Sequence, residues 1–146
     1  MIQIRQAEAK DLPFLARAEA ALFSDGWSEE LLSDCMSRPL YGVLIACREE
    51  VPAGYLITMT VLGEGEVLRI GCLPAFQKQG VASALLEHWL KASREAGVTA
   101  ALLEVRSRNG AALSLYRKFG FLEEGRRKDY YRNPPDDAVL MGKRPL

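Results

Sequence analysis

The sequence is poor in the residues that build disulfide frameworks and metal sites. Its 146 residues include three cysteines and one histidine. The cysteines, Cys35, Cys47 and Cys72, are widely spaced. A disulfide scaffold needs paired cysteines, and a structural zinc site needs closely spaced Cys and His ligands. We therefore expect neither a disulfide nor a metal site in this chain.

An excess of charge and a long apolar run are also lacking. Lys plus Arg and Asp plus Glu both number 19, so the formal net charge is zero. That balance argues against nucleic-acid binding through bulk electrostatics, although Arg126, Arg127 and Lys128 form a local basic cluster. No apolar stretch approaches the ~20 residues needed to cross a bilayer, and residues 1–5 do not begin a signal peptide. The sequence thus predicts a cytoplasmic protein without a nucleic-acid or membrane partner.

What is present is the composition of a globular protein, with 49% apolar and 26% charged residues. The length suits one domain, predicted over residues 1–146. Apolar periodicity and the placement of Gly and Pro predict the element order βααβββαβαββ. The predicted strands lie at residues 2–5, 41–48, 54–62, 66–73, 100–105, 121 onward and 137–143, and the helices at 11–23, 28–38, 80–96 and 109–119. A central strand–helix–strand unit flanked by hairpins implies a mixed sheet, so the fold class is α/β.

Three residues are predicted to cap helices with their side chains. Asp11, Ser28 and Asn109 each precede an apolar-periodic segment, and these residue types accept hydrogen bonds from the first free N–H groups of a helix. Gly97 and Gly120 follow the last periodic residues of two helices, where glycine ends a helix readily.

The segment from residue 70 to 83 carries the strongest functional signal. A strand ends at a proline, a loop follows, and a helix starts at Gly80. Helix N-termini present unpaired N–H groups that suit phosphate. Gly80 lets the backbone approach a ligand, Ala82 keeps the first turn thin, and Gln77 and Lys78 add donors and positive charge. The segment predicts a pyrophosphate-binding loop, with an ordinary strand–loop–helix connection as the alternative; the common P-loop and dinucleotide motifs are absent.

Gln77-x-x-Gly80-x-Ala82 resembles the Gln/Arg-x-x-Gly-x-Gly/Ala signature of GNAT N-acetyltransferases. Asn109, Tyr116 and Gly120-Phe121 resemble the second motif of that family, and the resemblance covers nearly the whole chain. It implies the GNAT fold, acetyl-coenzyme A as cosubstrate, loop amides that hold the pyrophosphate, and a strand whose backbone pairs with the pantetheine arm. The residues that the resemblance assigns to the coenzyme are Ile70, Gly71, Cys72, Gln77, Lys78, Gln79, Gly80, Val81, Ala82, Ser83, Asn109 and Tyr116.

Further motifs resemble the ribosomal-protein-alanine N-acetyltransferases of the RimI type. They are Trp27-Ser28-Glu29, Leu103-Glu104-Val105-Arg106, Arg127-Lys128-x-Tyr130-Tyr131 and Asp137-Ala138-x-x-Met141. Gly26 stands where this group usually has proline. The resemblance implies acetylation of the N-terminal α-amine of a small-subunit ribosomal protein. We expect a monomer or a weak homodimer. The expected substrate-binding residues are Trp27, Arg106, Tyr130 and Tyr131, and a solvated strand end is the alternative for the two tyrosines.

Direct acetyl transfer requires a base for the amine and an acid for the leaving thiol. An α-amine has a pKa of ~7.7–8.0, so modest base assistance suffices. Glu104, near the end of a central strand, is the predicted base, and the alternative is a surface carboxylate paired with Arg106. Tyr116 is the predicted acid, because a phenol can protonate a thiolate; the alternative is a core tyrosine on a helix.

Two other functions fit the same sequence. The first is a GNAT acetyltransferase for a small amine such as an amino acid, a polyamine or a drug, which would favour charge-matched pockets over a peptide groove. The second is a non-catalytic acyl-coenzyme A-binding module. The presence of both Glu104 and Tyr116 favours an enzyme, since a binding module has no need of them.

Overall fold

A computed structural model describes the whole chain, Met1–Leu146. Its element order is the predicted one, with two short 3-10 turns added at Ala9–Asp11 and Pro74–Phe76. The helices and strands are β1 (Ile2–Gln6), α1 (Leu12–Leu22), α2 (Glu29–Met36), β2 (Tyr41–Arg48), β3 (Val51–Val61), β4 (Glu64–Cys72), α3 (Val81–Glu95), β5 (Ala100–Arg106), α4 (Gly110–Lys118), β6 (Leu122–Tyr131) and β7 (Asp136–Lys143).

One seven-stranded sheet, in the order β1-β2-β3-β4-β5-β7-β6, organises the molecule. Only the β4–β5 pair is parallel, and α3 makes the crossover between these two strands. All other neighbours are antiparallel. The predicted α/β fold with a mixed sheet is confirmed. None of the helices combines the length and apolar character that a membrane span requires.

The two faces of the sheet bury separate apolar clusters, because successive strand residues point to opposite faces. Leu15 of α1 and Leu32 of α2 pack with Tyr55 and Ile57 on one face. The other face buries α3 and α4 in a larger cluster whose members include Leu56, Leu85, Leu86, Trp89, Tyr116 and Phe121. The sheet therefore has α1 and α2 on one side and α3 and α4 on the other.

The β2–β3 turn is shorter than the sequence predicts. Glu49 and Glu50 have φ angles of 51° and 69°, as in a two-residue turn in which both central residues have positive φ. β3 therefore starts at Val51 rather than residue 54. Pro52 lies opposite Cys47, where the register of the β2–β3 pair shifts. Such an irregularity is one of the few places where a strand tolerates proline.

Two of the three predicted caps are confirmed. The Ser28 and Asn109 side chains each accept a hydrogen bond, at 3.1 Å, from the backbone N–H three residues on. The prediction for Asp11 is wrong, because its carboxylate makes no cap bond to α1. It instead accepts two hydrogen bonds from Arg5, at 2.7 and 2.8 Å, and one from the Glu8 N–H.

β4 and β5 separate in the middle of the sheet, and the opening between them is where the candidate site lies. Their parallel pairing runs from Glu64 opposite Ala100 to Val67 opposite Leu103 and then stops. β4 also carries an extra residue, Leu68, between the residues that face Ile57 and Thr58 of β3. Such a bulge bends a strand and changes the direction of the side chains that follow. The β4 backbone beyond the bulge has no strand partner on the side of β5.

Candidate active site

The opening between β4 and β5 forms a cleft with two halves. The inner half, about 480 Å³, is lined by Ile70, Asn109 and Tyr116 among others. The outer half, about 740 Å³, is lined by Glu66 and Tyr130 among others. The halves share a common wall made of Ser24, Asp25, Val67, Leu68, Arg69, Glu104, Arg106, Tyr131 and Asn133.

β4 leads from the inner half into the start of α3, where the predicted phosphate loop lies. α3 begins without a capping side chain, so its first N–H groups are free to bind an anion. Gly80 has φ of +84°, and a Cβ there would meet nothing within 4 Å. Glycine is needed here for its left-handed backbone, and it leaves the approach to the helix end open.

The side chains of the loop are mostly engaged within the loop itself. The Gln77 amide donates to the Cys72 carbonyl at 3.4 Å. The Gln79 amide donates to the Ala75 carbonyl at 3.3 Å and accepts from Arg48 at 2.6 Å. The Val81 side chain is buried in the core. The groups left available for a pyrophosphate are therefore the backbone N–H groups, the exposed Lys78 side chain, and Ala82 and Ser83 in the first turn of α3.

Position 71 requires glycine because of core packing against Tyr55, not because of a contact with the cleft. A Cβ at this position would lie 2.5–2.7 Å from the ring carbons and the hydroxyl oxygen of Tyr55. Tyr55 is fully buried and its hydroxyl donates a hydrogen bond to the carboxylate of Glu19. The strand Ile70–Cys72 still presents the unpaired backbone on which the predicted pantetheine contact depends.

Tyr116 and Glu104 open onto the same cleft from α4 and β5. Tyr116 is 4% exposed and packs edge-on against Phe121, with ring centroids 5.8 Å apart. Its hydroxyl forms no hydrogen bond within the chain. Every fully buried polar side-chain atom has a hydrogen-bond partner, so this hydroxyl is not fully buried and reaches the cleft. Burial raises the pKa of Tyr116 well above the usual value for a phenol. The phenol thus stays protonated at neutral pH, as a general acid must.

Glu104 is partly exposed, and its partner is Arg127 rather than Arg106. The Arg127 Nε lies 3.5 Å from a Glu104 carboxylate oxygen, with 29% of the glutamate side chain and 56% of the arginine side chain exposed. The sequence-based alternative that pairs Glu104 with Arg106 is wrong. The negative charge of Glu104 is also the main cause of a raised pKa of Tyr130. Burial, with the charge of Glu104 as the second cause, raises the pKa of Tyr131 to about 12.

Arg69 of β4 holds the α1–α2 loop, residues 23–28, against the cleft. Its Nε donates to Glu19 at 3.1 Å and one Nη donates to the Asp25 carbonyl at 2.8 Å. Its guanidinium lies 4.4 Å from the ring centroid of Phe23 and 5.3 Å from that of Trp27. The bulge at Leu68 makes this possible, because it places Arg69 opposite Ile57 on the α1–α2 face of the sheet.

Glu19 anchors this arrangement from inside the protein. Its side chain is completely buried and accepts hydrogen bonds from the Tyr55 hydroxyl, the Arg69 guanidinium and, at 2.9 Å, the Trp27 N–H. A buried carboxylate is tolerated only when it is paired and hydrogen-bonded, as this one is. A Cβ at Gly26 would lie 2.5 Å from the Glu19 carbonyl oxygen. The close approach of the loop to α1 therefore leaves no room for a side chain at this position.

Arg106 of β5 holds the opposite loop, residues 132–135, in the same way. Its two terminal nitrogens donate to the carbonyls of Pro134, at 2.8 Å, and Arg132, at 3.0 Å. Its guanidinium lies 4.4 Å from the Tyr131 ring centroid. The two loops meet where the Ser24 hydroxyl approaches the Asn133 carbonyl at 3.5 Å. One arginine from each parted strand thus fixes one loop beside the cleft.

The structure brings most of the predicted substrate-side residues together, but not all. Tyr130 and Tyr131 both line the outer half, with ring centroids 5.1 Å apart and planes at 81°. Arg106 lines both halves, but loop carbonyls and Tyr131 already occupy its guanidinium. Trp27 does not line the cleft and contacts Arg69 instead.

Sequence reasoning missed Glu19, Tyr55, Glu66 and Arg69. For Glu19 a signal exists, because it occupies an apolar-stripe position of α1, seven residues after Leu12 and four after Leu15. A charged residue on such a stripe indicates a buried polar contact. The role of Arg69 depends on a bulge and on a helix fifty residues away in sequence, and neither is visible in local pattern.

The sheet opens between parallel strands beside an uncapped helix start, and a carboxylate and a phenol line the opening. This arrangement fits acyl transfer from coenzyme A, as the sequence predicts. Residues 3–121 match the family model "Acetyltransferase (GNAT) family". The chain belongs to the GNAT acetyltransferase family, and its activity is that of an acetyl-coenzyme A-dependent N-acetyltransferase.

Relatives and solved structures agree with this assignment. The chain is 32% identical over 143 residues to the [ribosomal protein bS18]-alanine N-acetyltransferase of Escherichia coli K12, covering 97% of this chain and 96% of that protein. It is 46% identical over 78 residues to the N-alpha-acetyltransferase RimI of Mycobacterium tuberculosis, covering 53% and 48%. The crystal structure of the E. coli S18-alanine enzyme superposes with a TM-score of 0.91, covering 99% of this chain and 94% of that one.

Proposed function

We propose that the protein transfers the acetyl group of acetyl-coenzyme A to the N-terminal α-amine of a protein, and that its substrate is the N-terminal alanine of ribosomal protein bS18. The observation that carries this proposal is the placement of Glu104 and Tyr116 in one cleft, from opposite elements, where β4 and β5 part. The names of relatives that match nearly the whole chain support the ribosomal substrate.

The chemistry needs no covalent intermediate on the protein. The amine nitrogen attacks the thioester carbonyl, a carbon–nitrogen bond forms, and the carbon–sulfur bond breaks. Glu104 accepts the proton that the amine loses, directly or through a water, and Tyr116 gives its proton to the departing thiolate. An α-amine suits a partly exposed carboxylate base, because its pKa of ~7.7–8.0 leaves a useful neutral fraction at pH 7, unlike a lysine at ~10.4.

The coenzyme would lie along the inner half. The unpaired backbone of Ile70–Cys72 suits the amides of the pantetheine arm, and the open start of α3 at Gly80 suits the pyrophosphate. The peptide would enter through the outer half, between the α1–α2 loop and the loop of residues 132–135. The two partners then meet at the common wall, where Glu104 lies.

Thiol release from acetyl-coenzyme A tests the proposal with short peptides. One set carries the N-terminal sequence of bS18 with a free amine and an internal lysine, and the matched set is blocked at the N-terminus. Turnover only with free N-termini, abolished by Glu104→Gln, is the expected result. Equal turnover with blocked peptides would mean that the acceptor is the lysine side chain. Activity confined to small free amines would overturn the proposal of a peptide substrate, while the assignment as an acetyltransferase would stand.

A further inference from the structure

Glu66 is the one half-buried charged side chain of the outer half that has no partner within the protein. Among the other charged residues there, Arg69 pairs with Glu19 and Asp25, Glu104 pairs with Arg127, and Arg106 donates to two loop carbonyls. Arg132 makes no side-chain bond but is exposed to solvent. The Glu66 carboxylate forms neither a hydrogen bond nor an ion pair, although the residue is half-buried.

The register of the sheet places Glu66 beside the proposed base. Glu66 lies opposite Leu102 in the parallel β4–β5 pair. Since strand residues alternate between faces, Glu66, Leu102 and Glu104 share one face of the sheet. Burial raises the pKa of Glu66, and the negative charge of Glu104 adds to that rise. The two carboxylates are therefore close enough to interact, one on each of the strands that part to form the cleft.

A partly desolvated carboxylate without a counter-ion is unfavourable, and a cationic ligand would relieve it. The proposed acceptor brings a cation to this place. At neutral pH most of an α-amine is ammonium, which offers three hydrogen-bond donors and one positive charge. The amine must also come next to Glu104 to lose its proton.

We propose that Glu66 is a substrate-binding residue that recognises the positive charge of the incoming N-terminal ammonium, while Glu104 removes its proton. This inference rests on the proposed function and adds to it separate roles for the two carboxylates, Glu66 and Glu104. Glu66 supplies charge recognition, which acts in the ground state, and it lowers KM for the peptide. Because it stabilises the ammonium over the neutral amine, it gives no advantage in the chemical step. Acetylation removes the charge, so the product loses this contact and is released.

The test measures what the ammonium contributes to binding, with and without Glu66. The ligands are an alanine-starting peptide without charged side chains and its des-amino analogue, in which a propionyl group replaces alanyl. Dissociation constants are measured by calorimetry with coenzyme A present, at about pH 6.5, where the α-amine is protonated. Wild type should bind the amine peptide about tenfold more tightly, as expected for a hydrogen bond to a charged group.

Glu66→Gln should reduce this preference to less than about threefold and raise the peptide KM about tenfold, and kcat should not fall, because the lost contact acts in the ground state. Its thermal stability should match wild type, because Glu66 has no internal partner to lose. Glu64→Gln is the matched control: it lies on the same strand and face and pairs with Arg144 at 3.4 Å, outside the cleft. It should keep the full preference.

A preference for the amine peptide that survives in Glu66→Gln would overturn the inference, and so would an equal preference lost in Glu64→Gln. Peptide turnover by wild type is measured separately and reports on the proposed function alone. If wild type acetylates the peptide but Glu66→Gln keeps the preference, only the role of Glu66 fails. If wild type acetylates no peptide and binds both ligands equally, both proposals fail.

Discussion

The two halves of the cleft are built in different ways. On the coenzyme side, the inner half and the predicted phosphate loop that continues it offer mainly main chain: an unpaired stretch of β4, a glycine in left-handed conformation and the free N–H groups at the start of α3. These segments are continuous in sequence over residues 70–83. The outer half uses side chains from β4, β5, β6 and two loops, and those loops are fixed by Arg69 and Arg106 through contacts across 26 to 50 residues.

This difference matches the two ligands. A coenzyme is the same molecule in every turnover, so a rigid main-chain cradle can bind it with few side chains. A protein N-terminus varies from one substrate to another, and side chains on loops are the parts of a fold that vary most readily. The halves should therefore respond separately to mutation, and the following predictions test that separation.

The largest effect is expected at Tyr116, in the inner half. Tyr116→Phe removes a hydroxyl that bonds to no group of the chain, so stability should change by less than about 1 kcal/mol. The loss of a general acid should lower kcat by about 10²-fold or more with little change in either KM. Steady-state kinetics with both substrates provide the check, with Tyr41→Phe, outside the cleft, as the control. A kcat within threefold of wild type would exclude Tyr116 as the acid.

Glu19→Gln should give the next largest effect, and it acts on the outer half. The substitution keeps the shape but removes the charge that the largely buried Arg69 side chain, 14% exposed, faces, so the free energy of unfolding should fall by about 3 kcal/mol. Glu19 fixes the α1–α2 loop through its hydrogen bonds with Arg69 and the Trp27 N–H. The peptide KM should therefore rise, while coenzyme A affinity changes by less than about threefold.

Denaturant unfolding and the two binding assays check this expectation. Asp34→Asn is the control, since its ion pair with Arg38 has both side chains more than half exposed, and such pairs contribute ~0–1 kcal/mol. A loss below 1 kcal/mol in Glu19→Gln would mean that the buried network does not depend on charge.

Gly80→Ala should affect the coenzyme side of the cleft alone. Alanine at a φ of +84° costs about 1–2 kcal/mol, and relief of that strain would turn the free N–H groups away, so coenzyme A should bind about tenfold more weakly. Gly97→Ala is a close control, since Gly97 follows the other end of α3 with φ of +86° and open space at its Cβ. Both variants should lose similar stability, and only Gly80→Ala should lose coenzyme affinity. Equal affinity losses would contradict a site at the start of α3.

The same contrast explains what could be predicted from the sequence. The element order and the mixed sheet follow from local signals such as Pro74, Gly80 and the apolar alternation of the strands, and the same signals mark the segment that we predict to bind the pyrophosphate. Glu104 and Tyr116 could be named because they fall in short motifs. Arg69 could not, since a single-residue bulge decides which face of the sheet it occupies. In the sequence Glu66 is indistinguishable from any glutamate of an exposed strand face. Only the pairing of β4 with β5 shows that it lies beside Glu104.

The smallest effect is expected for Arg106→Lys, which distinguishes loop positioning from direct peptide binding. Lysine keeps the charge but lacks the planar fork that donates to two carbonyls while stacking on Tyr131. The loop of residues 132–135 should loosen, raising the peptide KM about threefold while coenzyme A affinity stays unchanged. Arg94→Lys, at the exposed end of α3, should change neither quantity. If coenzyme affinity fell as much as peptide affinity in Arg106→Lys, the two halves would be mechanically coupled through β5, and the separation argued for the cleft would fail.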